Sequence, residues 1–79
     1  MEYYKSSSGG VYKVYAIDPT TGRSTLVLNY KNTGMYNVIN QQFPPGSPEY
    51  DMHVSSLAAS TRSEFLALAE PAKTFIEGL

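Results

Sequence analysis

From Gly10 to Lys31 the chain alternates in the manner of a β-hairpin. Val11–Ile17 (Val-Tyr-Lys-Val-Tyr-Ala-Ile) and Ser24–Tyr30 (Ser-Thr-Leu-Val-Leu-Asn-Tyr) flank Asp-Pro-Thr-Thr-Gly-Arg. Runs of β-branched and aromatic residues around such a segment read as two paired strands. Pro19 pre-sets a turn φ, the Asp18 carboxylate can accept from backbone N–H groups just beyond it, and Gly22 can take a positive φ. With Asp18 opposite Arg23, one face carries Val11, Lys13, Tyr15, Ile17, Leu26, Leu28 and Tyr30. The other carries Tyr12, Val14, Ala16, Thr25, Val27 and Asn29. A sheet with one wet side alternates apolar and polar residues. Here both faces hold large apolar groups, so both call for cover.

The flanking segments extend this hairpin. Glu2–Lys5 fits a short first strand with Ser6–Gly10 as a turn; the alternative is a frayed terminus and a flexible Ser/Gly linker. Asn32-Thr33-Gly34 is a turn signal, and Met35–Asn40 fits a fourth strand or a single turn of helix. Gln41–Pro48 holds three prolines and Gly46, so it is predicted as a loop. Glu49–Ser55 alternates at Tyr50, Met52 and Val54, as an edge strand would.

The final third changes period. From Ser60 or Thr61, residues Phe65, Leu68, Ala69, Ala72, Phe75, Ile76 and Leu79 recur at helical spacing. Thr61 and Glu64 match a capping box, Gly78 suits a C-terminal stop, and Pro71 predicts a kink or break near Ala69 or Glu70. Burying Phe65, Leu68, Phe75 and Ile76 would contribute roughly 6–12 kcal/mol gross, so this helix must pack on something. The expected fold is α+β: a three- or four-stranded antiparallel meander followed by a C-terminal helix kinked at Pro71.

Composition narrows the class. Seventy-nine residues make a single domain, 1–79. With no cysteine there is no disulfide to staple it. Cores of this size supply about 3–5 kcal/mol unaided, which favours association with another chain. The formal charge of −1 provides neither the basic stripe of a backbone-reading nucleic-acid binder nor a polybasic membrane patch. No apolar run has the length of a signal peptide or a membrane span. A soluble cytoplasmic protein with no membrane partner is expected.

Candidate chemistry is sparse. One histidine and no cysteine exclude Cys–His catalysis, and no Gly-x-Ser-x-Gly elbow is present. No enzyme and no cofactor are expected. On an extended strand Glu49, Asp51 and His53 would share a side and form a weak divalent-metal candidate. Such a strand spreads them about 6–7 Å apart, and a charged edge that deters aggregation explains them more simply. Ser6–Gly10 matches no phosphate-binding loop, and Pro45-Gly46-Ser47-Pro48 lacks the flanks of a proline-rich ligand. Seven tyrosines and no tryptophan fit ordinary sheet packing, a protein interface, or base stacking beside Lys5, Lys13, Arg23 and Lys31. The candidate interface is Tyr12, Val14 and Val27, with Tyr15 and Tyr30. The function expected is a non-enzymatic interaction protein that self-associates, most simply as a dimer, through its sheet face and C-terminal helix. Single-stranded nucleic-acid binding on the tyrosine-rich sheet is the alternative. In its economy the chain resembles the small accessory or inhibitory proteins that phages and mobile elements encode.

Overall fold

The computed structural model describes residues 1–78. Four strands form an antiparallel meander: β1 (Glu2–Ser8), β2 (Val11–Ile17), β3 (Arg23–Tyr30) and β4 (Met35–Gln42). Helix α1 (Pro48–Ser55), the two-residue strand β5 (Ala58–Ala59) and helix α2 (Arg62–Glu77) follow. The sheet order is β4-β3-β2-β1-β5.

The central hairpin adopts the expected register. Ile17 pairs with Ser24, and the Asp18 N–H donates to the Arg23 carbonyl at 2.8 Å. Asp18 Oδ1 accepts from the Thr20 N–H at 2.9 Å, which holds its carboxyl below the usual carboxylate range. Gly22 has φ +77°, and a Cβ there would collide with the Phe43 carbonyl. That close approach is used: the Phe43 N–H donates to the Gly22 carbonyl at 3.0 Å, extending the β3–β4 ladder past the strand ends.

Each face of the hairpin has its own helix. Val14 and Val27, 0% and 2% exposed, pack under Leu68 and Ala72 of α2, with Tyr12, Tyr36, Phe65 and Ala69 around them. On the opposite face Tyr15, Ile17, Leu26 and Leu28 pack under Tyr50 and Val54 of α1 and Leu57 beyond it. Helix α2 contacts β2, β3 and β4 in turn. Its first turn is anchored to the sheet by Lys5 on β1. The Lys5 ammonium lies 3.0 Å from Glu64 Oε2, and the Ser60 hydroxyl donates to Glu64 Oε1 at 2.9 Å. The Lys5 contact comes first in holding the Glu64 carboxyl below its ordinary pKa. Thr61 caps the helix by accepting from the Glu64 N–H at 3.2 Å.

Three expectations need correction. Glu49–Ser55 is helical, not an edge strand. Ser47 is its N-cap, Pro48 opens its first turn, and Glu49 and Asp51 place acidic groups near its positive end. Ser6–Ser8, expected in a turn, extend β1, while α2 runs from Arg62 to Glu77 with Pro71 inside it. Gln41 and Gln42 belong to β4 and not to the loop. Leu79, expected on the apolar face of α2, lies outside the described residues.

With Val14 and Val27 buried, a charged group at either position has no route to water. Val14→Lys and Val27→Lys are each expected to abolish the cooperative thermal transition followed by circular dichroism. Leu68→Ala is expected to retain the fold at a cost of about 2–5 kcal/mol in urea unfolding. A folded Val27→Lys protein would show that α2 does not cover this face.

Candidate functional site

The five residues expected to form an interface separate in the structure. Val14, Val27 and Tyr15 are core; an interface cannot be built on them without unpacking a helix. Tyr12 is half-buried against the α2 cluster, with the Lys31 ammonium 5.7 Å from its ring centre. Tyr30, 38% exposed, alone presents itself to solvent. Two other tyrosines are held by α2: Tyr3 lies 5.7 Å from the Phe65 ring and Tyr36 lies 5.7 Å from the Phe75 ring.

The acidic–histidine cluster also changes character. On α1, Glu49 and His53 are four residues apart and share a side, while Asp51 turns away. Among the described residues no group of three potential metal ligands converges. His53 instead turns inward. Its ring lies 5.3 Å edge-on from Tyr15 and 4.7 Å from Phe43, and its buried Nε2 has no hydrogen-bond partner among the described residues. Burial pushes its pKa below the ordinary histidine value. The Ser24 hydroxyl, also buried without a partner, belongs to the same face of the sheet, because it pairs with Ile17 and Gln41.

Met1 and, on α1, Met52 are open to solvent, and further exposed apolar groups lie on β4 and beside it. Met35, Val38 and Ile39 on β4 and Ile76 on α2 are all open to solvent. Between β4 and α2 runs an almost wholly apolar groove of about 470 Å³, lined by Val27, Val38, Phe65, Ala69 and Ile76, with Lys73 and Glu77 at its rim. Among the described residues no strand pairs with the outer side of β4.

The ladder geometry shows what that outer side offers. Backbone groups of successive residues point alternately to the two neighbouring strands. Asp18 bonds to Arg23, and Gly34 donates to the Tyr30 carbonyl at 2.7 Å, so odd residues of β3 face β2 and even ones face β4. In the observed register Ser24, Leu26, Leu28 and Tyr30 meet Gln41, Ile39, Asn37 and Met35. The N–H and C=O groups of Tyr36, Val38, Asn40 and Gln42 therefore point outward. The Val38 N–H is occupied only by the neighbouring Asn37 side chain, at 2.9 Å.

No family model, no curated protein and no solved structure matches the chain. Among the described residues no helix is long and apolar enough to cross a membrane.

The enclosure of His53 has a direct consequence for stability. In the unfolded chain an imidazole protonates near pH 6.5 (about the model-peptide value), while in the fold burial lowers that pKa. Above this pH both states carry a neutral ring and stability is full. As pH falls below it the unfolded chain takes the proton first, and stability declines until the folded pKa is passed. Thermal melts from about pH 7.5 to 5 are expected to show a falling Tm, and His53→Phe is expected to remove most of that slope. An unchanged slope in the variant would place the pH response elsewhere.

Proposed function

We propose that the protein is a non-enzymatic interaction module that functions as a homodimer, joined on the side where β4 and α2 meet. The observation that carries this is the groove between Val38 and Ile76, an apolar channel flanked by further exposed apolar groups on β4. Contiguous apolar surface of this kind mediates association, and a domain of this length gains stability from it. Lys73 and Glu77, 3.9 Å apart at the rim, give the groove one charge of each sign, an arrangement complementary to its own two-fold image. The absence of an amide donor at Pro71 leaves the Ala67 carbonyl without its usual partner. A bend there would let the Ile76 segment adjust to an occupant.

The non-enzymatic part of the proposal draws support from His53. The chain's one imidazole sits between two aromatic rings, and its buried Nε2 has no hydrogen-bond partner among the described residues. Single-strand binding ranks second, and the Lys31–Tyr12 contact beside exposed Tyr30 favours it. It ranks second because Tyr3 and Tyr36 are already engaged by phenyl rings of α2, and stacking needs free rings.

Sedimentation velocity at about 50 µM is expected to give the mass of two chains, and Ile76→Lys to return one chain with an unchanged helix signal. A wild-type monomer at that concentration would refute self-association.

A further inference from the structure

We infer that two copies of the chain join by pairing their β4 strands antiparallel about a two-fold axis at Ile39, so that one sheet runs unbroken through the dimer. This inference rests on the self-association proposed above and states how the contact is made.

The two edges of the sheet are treated differently. Next to β1, the outer edge receives β5 at Tyr4 and Lys5, and the Ser60 N–H donates to the Tyr3 carbonyl at 3.0 Å. At the β4 end no further strand pairs among the described residues. Natural edges are blunted by charge, proline, bulges or brevity. Strand β4 is eight residues long, Met-Tyr-Asn-Val-Ile-Asn-Gln-Gln, with no charged residue and no proline. Its register with β3 is uninterrupted from Arg23–Gln42 to Tyr30–Met35, so no bulge twists it away. The prolines that follow the strand, Pro44 and Pro45, come only after Phe43.

The strand is also complementary to itself. Antiparallel pairing bonds outward-facing residues to outward-facing residues, two N–H···O bonds per pair. With the axis at Ile39, Tyr36 of each copy meets Gln42 of the other and Val38 meets Asn40. All four outward residues are then satisfied. Moving the axis to Val38 or Asn40 strands one of them at an end, and an axis between residues sets outward groups against inward ones. At the centre Ile39, 36% exposed, faces its own copy in a non-hydrogen-bonded pair, the closer of the two kinds. Asn37 then lies opposite Gln41, carboxamide against carboxamide. No charge faces a like charge anywhere along the seam. In the free chain the Asn37 side chain holds the Val38 N–H, the place a second copy's carbonyl would take.

The same axis stands perpendicular to the sheet and puts both α2 helices on one side. The two grooves then open onto a shared seam, and Lys73 of one copy can approach Glu77 of the other.

Cysteine cross-linking tests the register in the full chain, which has no cysteine of its own. A non-hydrogen-bonded pair at about 4.5 Å between Cα atoms lies within disulfide reach. Under mild oxidation Ile39→Cys is expected to convert mostly to a covalent dimer, at least tenfold faster than Asn37→Cys or Gln41→Cys alone. Asn40→Pro removes an outward N–H without touching the β3 ladder. It is expected to weaken association at least tenfold while keeping the far-ultraviolet circular dichroism of the wild type. Should that variant fail to fold, the cysteine variants decide alone. A wild-type dimer in which Ile39→Cys does not cross-link faster than its neighbours would overturn edge pairing and leave self-association standing. A wild-type monomer would overturn both, leaving the edge to a strand of some other chain.

Discussion

The central hairpin is apolar on both faces, and the rest of the structure follows from that constraint. Val14 and Val27 point one way, while Tyr15, Ile17, Leu26 and Leu28 point the other. A sheet of this kind is stable only with a layer on each side. The chain provides two unequal ones. The sixteen residues of α2 set Leu68 and Ala72 into the core. The eight residues of α1 bury none of their side chains fully and act through Tyr50 and Val54, supplemented by Leu57. One face is therefore sealed by interlocked side chains, and the other is closed by a shorter lid with the His53 ring beneath it.

Position within the sheet decides what remains open. Helix α2 lies across β2, β3 and β4, and burial is deepest on β2 and β3. Lys5, Ser60 and Glu64 tie the start of α2 toward the β1 side, and β5 closes that edge. Strand β4 lies at the opposite margin, paired on one side and only partly roofed. Its Val38 and Ile39 stay exposed, and the groove beside Ile76 stays open, although α2 reaches β4.

Much of this was legible in the residues. Pro19 and Gly22 located the turn, and parity from Asp18–Arg23 sorted every side chain of β2 and β3 onto the correct face. The period of Phe65, Leu68, Ala72 and Ile76 located α2, and Thr61 its cap. Helix α1 was not read, because Tyr50, Met52 and Val54 alternate as a strand would. Tyr50, Val54 and Leu57 also stand at i, i+4 and i+7, behind Ser47, Pro48 and two early acidic residues, which is a helix start in the order physics prefers. Eight residues cannot settle a period by themselves; the N-terminal signals could have. That single misassignment left one face without a cover and sent the interface to Val14 and Val27. Pro71 lies inside α2 between Leu68 and Ala72, both of which pack on the sheet.

The relocation from sheet face to sheet edge changes the kind of contact at stake. A face associates by burying area, a non-directional gain that tolerates many partners and many orientations. An edge associates through backbone groups in a fixed order, so register is specified and a one-residue slip misaligns every bond. In β4 the backbone supplies direction, while Val38, Ile39 and the groove supply apolar area on both sides of the same strand. Uncharged Asn and Gln at positions 37, 40, 41 and 42 neither repel a copy of themselves nor recruit an oppositely charged stranger. Such a strand is neither repelled by its own copy nor selective by charge, and the proposed axis at Ile39 is the register in which all four of its outward residues would pair.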